Sequence, residues 1–253
     1  MQKSLGYSHH AHAVPVFRRM LEELLRKRRL EAPNVLDFAS SYGIVSALVR
    51  HDVSAEAFLR RYEDRKLDRL TPRQMASRDA AWLSDLPESY PGARFTGVDV
   101  AGNAVAYGRA IGLFADAFDE DLEHAAPSAP LAETLSSTDL ILECGSVAQL
   151  KPAALERLLR ASAVNKPWIV TSPVRGNERK AAFDLLRDHG YVVETLGLPP
   201  FPHRRFDSPS EQARAIDIAR AAGHDTTGFE TTGYFYAQIY VARPPEEAAV
   251  AGR

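Results

Sequence analysis

Apolar positions along the chain follow two periods. Short apolar runs predict strands at residues 35–38, 94–98, 140–143 and 168–171, with a weaker one at 117–122. Between them apolar residues return every three or four positions, which predicts helices over 44–50, 101–111, 152–161 and 178–189, the last closed by Gly190 as a C-cap. Strand, helix and strand repeated in this way imply right-handed crossovers and a parallel sheet covered on both faces. The fold class expected is α/β, a Rossmann-like, mainly parallel sheet flanked by helices.

Three segments depart from that rhythm. Val16, Phe17, Met20, Leu21 and Leu24 form the apolar stripe of an N-terminal helix, with Pro15 in its first turn, and residues 1–32 are read as a helical lid. Residues 51–92 are too long for a connection and contain two further helical patterns, so they are read as an insertion that packs beside the sheet or roofs the site. Late in the chain, 191–196 and 234–241 predict two strands suited to an antiparallel edge, separated by the proline-rich loop LGLPPFPHRRF and a helix at 210–222. The whole is expected to be one domain, 1–253, with a frayed acidic tail from Pro244.

Composition narrows the classes. A chain of 253 residues, 45% hydrophobic and 25% charged, can bury a substantial core, and a net charge of -2 offers nothing to a polyanion. The basic cluster at Arg26–Arg29 falls on the polar face of the first helix and reads as a solvated surface, so no nucleic-acid partner is expected. The single cysteine, Cys144, excludes an internal disulfide framework and a C-x-x-C zinc pattern, which points to a cytoplasmic setting. The N-terminus lacks the apolar core of a signal peptide, and no apolar run approaches the ~20 residues of a membrane span, so no membrane partner is expected.

In an open parallel sheet ligands bind beyond the carboxyl ends of the strands. The first strand ends at Asp37 and Phe38 in the stretch VLDFASSYG, which places the small residues 39–43 at that position. A pyrophosphate would need a full G-x-G-x-x-G turn, so a dinucleotide fits poorly. Asp99, after the second strand, is placed to accept from ribose hydroxyls or, alternatively, to cap the next helix. Asp119, Glu120 and Asp121 follow the weak third strand, and the fourth ends in Leu142-Glu-Cys-Gly-Ser146, small residues again where a ligand would cross the sheet edge.

Taken in order, VLDFASSYG, GVDVAGNAVAYGRAIGL, DEDLE and DLILECGS resemble the motifs of class I S-adenosylmethionine-dependent methyltransferases, over residues 35–241. More narrowly, the turn, the insertion and the ending YFYAQIYVARP resemble a bacterial group of mostly unassigned substrate. The resemblance implies that S-adenosylmethionine is the cofactor. Asp37 with Ala39, Ser40, Ser41, Tyr42 and Gly43 would hold its methionine part, Asp99 with Val100 the ribose, Asp121 with Leu122 the adenine, and Cys144, Gly145 and Ser146 would flank the sulfonium. Ala39 and Ser41 stand at two positions where the family has glycine.

Methyl transfer needs a nucleophile in line with the sulfonium methyl, and a base only if that nucleophile is protonated. With no signature of a macromolecular substrate, a small-molecule acceptor is expected. The alternative is cyclisation or aminocarboxypropyl transfer, in which the cofactor's own amine attacks the carbon beside sulfur and yields azetidine-2-carboxylate with methylthioadenosine. A third reading is a non-catalytic cofactor-binding protein. Candidates for the reaction centre are Tyr7 and His10, in a segment that also holds His9 and His12, together with Arg175 and Tyr236. Arg204 and Arg205 compete with Arg175 for a substrate carboxylate, and strand alternation separates Tyr234 and Tyr236 from Phe235. HHAH lacks the i, i+4 pair and third ligand of a metal site, so no metal is expected. A homodimer is left open.

Overall fold

A computed structural model describes residues 5–248. Its strands are β1 (Asn34–Phe38), β2 (Arg94–Val98), β3 (Asp116–Phe118), β4 (Leu140–Glu143), β5 (Trp168–Thr171), β6 (Val192–Glu194), β7 (Phe201–Arg205), β8 (Tyr234–Ala237) and β9 (Tyr240–Arg243). Seven form one sheet in the order β3-β2-β1-β4-β5-β9-β6, parallel from β3 to β5, with β9 antiparallel to both of its neighbours. β1 pairs with β2 on one side and β4 on the other, Asp37 lying opposite Gly97 and Leu142. The crossovers diverge there, so the crevice for a ligand opens above the end of β1.

The helices are α1 (His9–Arg28), α2 (Ile44–Arg50), α3 (Ala55–Arg60), α4 (Pro72–Asp85), α5 (Gly102–Ala110), α6 (Ala129–Ser137), α7 (Pro152–Ala161), α8 (Lys180–Asp188) and α9 (Pro209–Ala221). Alternation along the central strands divides the core in two. Val35, Leu142 and Val170 face α1 and α2, together with Phe58 of α3 and Leu83 of α4, whereas Leu36, Ile141 and Ile169 face α6, α7 and α8. Leu36 is fully buried, so truncating it to alanine should cost about 3 kcal/mol in lost transfer energy and cavity.

Several expectations are corrected. α1 starts at His9, so Pro15 lies inside the helix on its exposed side instead of in its first turn, and the histidines belong to the helix. α6 was not expected. It forms because Ser128 caps the amide of Leu131 (3.3 Å) while Glu120 binds the Ser128 hydroxyl and amide. β3 is shorter than expected, since Asp121 folds the chain into a turn by accepting from the Glu123 amide (2.8 Å). The insertion contains α3, α4 and a 3₁₀ turn, Arg65–Arg69, and α4 opens on a capping box between Thr71 and Gln74.

The largest correction concerns 234–241. That run is two strands, with a break at Gln238 and Ile239: β9 joins the sheet, while β8 leaves it and pairs with β7. β7 itself lies within the segment read as a proline-rich loop. Its ladder with β8 skips His203, and a strand tolerates Pro202 beside such a bulge. The tail is also anchored over its described part: Glu247 accepts from Arg28 (3.0 Å) and from the Trp168 indole, while residues 249–253 lie outside the described residues.

Candidate functional site

The turn after β1 owes its shape to three residues with positive φ: Ala39 (53°), Ser41 (49°) and Gly43 (77°). Two of them carry a Cβ, and a left-handed non-glycine residue costs about 1–2 kcal/mol. The surrounding bonds hold the conformation. Ser40 donates its amide to the Val98 carbonyl (3.1 Å), Gly43 to the Ser40 carbonyl (2.8 Å), and Ser41 to Asp99 Oδ2 (2.8 Å). A Cβ on Gly43 would lie 2.5 Å from Leu113 and 2.7 Å from Phe114, so glycine is required there by space as well as by φ. Backbone strain concentrated in a sheet-end turn is a mark of a ligand clamp.

Beneath the turn, Asp37 is 2% exposed and accepts from the Ser46 hydroxyl (2.7 Å) and amide (3.2 Å), which fixes the start of α2. Burial pushes its carboxyl up to about 7. Asp99 also accepts from the Ala101 amide (2.8 Å), so one carboxylate ties the β1 turn to the β2 turn. Asp99 does not cap α5, whose N-cap is Ala101 with no side-chain cap bond; its carboxylate ties the two turns together instead.

At the ends of β1 to β4 the chain frames an open cleft of ≈ 280 Å³. Ala39, Asp99, Val100, Asp121, Leu122 and Ser146 line it, all six named from the sequence and drawn from four separate loops. Ser40 is buried with an unpartnered hydroxyl, while Tyr42 is exposed and meets Tyr107 edge-on (5.8 Å). Glu143 is fully buried below the fourth loop, and its carboxylate is held by the Ser146 amide. Burial pushes it up to about 7. Cys144 follows, its thiol pushed up by burial and by Glu143. Gly145 has φ 113° and runs so close to Pro173 that a Cβ would fall 2.7 Å from its Cα.

A second wall comes from outside the sheet. The segment before α1 pairs with β7: Ser8 donates to the His203 carbonyl (2.9 Å), and Arg205 to the Leu5 carbonyl (2.7 Å). This brings Tyr7 within 5.2 Å of His10 and 4.9 Å of His203, ring to ring, with His9 5.0 Å from His203. His9 Nε2 meets the Ser172 hydroxyl just past β5 (2.9 Å). Burial pushes His10 and His203 down to about 4; burial and the other imidazoles hold His9 well below its usual range. The Nδ1 atoms of His9, His10 and His203 have no partner. Burial, with a smaller contribution from Cys144, pushes the Tyr7 phenol up. Among the described residues no group of three histidine, cysteine or acidic side chains is placed to hold a metal.

The other candidates lie elsewhere. Arg175 is 6% exposed and its guanidinium is committed to Glu230 (3.2 Å) and the Asp225 carbonyl (2.6 Å), over the Phe229 ring. It is therefore not free to take a substrate carboxylate, because withdrawing it would strand a buried glutamate. Tyr236 packs edge-on against Phe229 (5.3 Å) and shares a hydrogen bond with Thr232 (3.2 Å), on the Arg175 side of the hairpin. Arg204 pairs with Glu211 (2.8 Å), Arg205 with Tyr234 (3.0 Å), and His12 lies against Phe201. His203 is a site residue that the sequence reading does not include. Its only sequence signal was a histidine in an alternating stretch, FPHRRF.

The strand order, parallel from β3 to β5 and closed by the antiparallel β9 and β6, is the class I methyltransferase fold that the motifs resemble. No family model and no curated protein matches the chain. Solved structures similar to it include magnesium protoporphyrin IX methyltransferase from Synechocystis PCC 6803 with bound S-adenosylmethionine, at 11% identity over 93% of this chain and 80% of that one, TM-score 0.44. The YcgJ protein of Bacillus subtilis shares 10% identity over 88% and 98% of the two chains, TM-score 0.46. The precorrin-6y C5,15-methyltransferase of Geobacter metallireducens shares 15% over 89% and 87%, TM-score 0.41. Likeness this distant carries no argument about chemistry, which rests on the chain's own residues.

Proposed function

We propose that the chain is an S-adenosylmethionine-dependent methyltransferase acting on a small molecule. The observation that carries this reading is the ≈ 280 Å³ cleft, into which four loops bring Ala39, Asp99, Val100, Asp121, Leu122 and Ser146 beside a strained turn. The residues fit the cofactor. Val98, Val100, Leu122 and Leu150 offer apolar walls to a purine, while the Asp99 and Asp121 carboxylates offer acceptors to hydroxyl and amino groups.

S-Adenosylmethionine supplies a methyl group made electrophilic by its sulfonium. The chain's part is to bind and orient. Asp99 holds the two turns at a fixed separation, and the positive φ at 39, 41 and 43 exposes backbone where side chains would otherwise stand. Tyr7, His10 and His203 pack ring to ring, and His9 reaches Ser172 just past β5. Because those imidazoles are uncharged at neutral pH, they do not repel a cationic sulfonium.

Calorimetry with S-adenosylmethionine and S-adenosylhomocysteine tests the reading, and an Asp99→Asn variant should bind both more weakly. No binding of either by the parent protein would remove it. Formation of methylthioadenosine and a cyclic amino acid from the cofactor alone would replace it with cyclisation.

A further inference from the structure

Helices α3 and α4 of the insertion and helices α2 and α5 beside the sheet leave a cleft of ≈ 360 Å³ between them. Ile44, Phe58, Tyr62, Met75, Tyr107 and Leu113 are among its walls, and no charged side chain lines it. Tyr42, from the turn after β1, also lines it and is 56% exposed. Walls this apolar give water few partners, so an apolar occupant that displaces the water is favoured. An apolar cavity of about 150 Å³ takes benzene, so this cleft has room for an occupant of roughly twice that size.

Charge narrows what can enter. Asp79 on α4 is fully buried behind the walls, and its carboxylate is matched. Oδ2 accepts from the Tyr62 hydroxyl (3.0 Å) and the Tyr107 hydroxyl (2.7 Å), while Oδ1 accepts from Arg78 (2.8 Å) and faces Arg61 (3.5 Å). Each of these phenols gives its single proton to the carboxylate and has none left for an occupant. Arg61 is held further over the Trp82 ring (4.4 Å). A charged occupant would shed its hydration and meet no counter-charge on the walls, whereas hydrocarbon loses nothing by entering.

We propose that this cleft is a binding site for an uncharged, hydrocarbon-rich small molecule, separate from the cofactor cleft. The two clefts share no lining residue, so the proposal goes beyond the methyltransferase reading and does not rest on it. They meet through the chain. Tyr42 sits inside the turn after β1, and Leu113, on the cleft wall, is the side chain against which Gly43 packs. An occupant held by Tyr42 and Leu113 therefore braces that turn, and by linkage whatever steadies the turn favours the occupant in return.

The test uses the full chain with three probes of one chain length, octan-1-ol, octanoate and octylammonium, at neutral pH. The ¹³C methyl resonances of Ile44 and Ile111 and the amide resonance of Gly43 are the readout. Octan-1-ol should shift all three saturably, and the two ions should bind at least about tenfold more weakly. Met75→Trp from α4 and Leu59→Trp from α3 each fill the cleft from a half-buried position, and both should abolish the shifts while thermal unfolding stays cooperative. Either ion binding as tightly as octan-1-ol, no saturable shift with octan-1-ol, or shifts that survive in both variants would overturn the proposal. So would sedimentation showing a dimer that octan-1-ol fails to enter, which would give the cleft to a second copy of the chain. Loss of S-adenosylhomocysteine binding alone would remove the methyltransferase reading and leave this site standing.

Discussion

The site has two walls made in opposite ways. One is the row of strand ends, where backbone conformation and buried carboxylates do the shaping, and burial raises Asp37 and Glu143 to about 7. The other is the roof of Tyr7, His9, His10 and His203, where burial lowers His10 and His203 to about 4. The same desolvation acts on both, and it disfavours whichever form is charged. Each wall is thereby moved toward neutrality.

The largest expected difference between the walls is steric. Gly43→Ala on the sheet wall should cost about 3 kcal/mol, the sum of overpacking against Leu113 and Phe114 and of an unfavourable φ. Gly6→Ala on the roof has a similar φ, 62°, but nothing within 4 Å, and should cost only about 1 kcal/mol. Thermal unfolding of the two variants checks this, and equal losses would mean that the turn is not packed as described. Next, Asp99→Asn should lower cofactor affinity by about 2 kcal/mol, the worth of a charge-assisted hydrogen bond. His203→Phe should leave that affinity within about threefold, a difference under 1 kcal/mol. Calorimetry that found the two variants equally weakened would merge the walls into one.

Acid should separate them further. His10 and His203 fall from the ordinary 6.5 to about 4 on folding, so their contribution is complete above pH 6.5 and is lost as the pH falls through that window. Asp37 and Glu143 rise from 3.8 and 4.5 to about 7, so their contribution is complete at low pH and is lost as the pH rises to about 7. The two groups oppose each other across the same interval and flatten the parent's profile. Replacing both His10 and His203 by Phe should weaken that opposition, leaving only His9 and His51 with lowered values, so relative to the parent the variant's melting temperature should gain at about pH 5 against about pH 7. The smallest effect belongs to the turn. Ala39→Gly relieves the left-handed residue but frees the unfolded chain, for a net gain of about 0.5 kcal/mol in denaturant unfolding.

The walls also differ in how far they could be read from sequence. The sheet wall was legible because each strand announces itself as an apolar run, and the residue after it must lie at the sheet's end. Asp37, Asp99 and Ser146 needed only that rule. Ala39 and Ser41 were named at glycine positions, and the chain meets that demand by accepting positive φ at both. The roof depends on pairings between distant segments, Leu5 with Arg205 and Ser8 with His203, which leave no period in the sequence. Arg175 was misjudged for a related reason. Its partner Glu230 is 55 residues away, and only folding shows that the charge is already spent.

The bulge at His203 has a consequence for how such a molecule can diverge. The ladder of β7 and β8 carries one residue more on one side, and that residue holds the segment leading to Tyr7 and His10. A cavity of ≈ 620 Å³ is thus bounded by pieces that hang from the sheet without belonging to it, a leading segment and an inserted helix. Lengthening or shortening either of them by a residue would remodel the cavity and leave every strand that frames the cofactor cleft in place. Divergence in this architecture should therefore be written as insertions and deletions in the roof, on a sheet that stays constant.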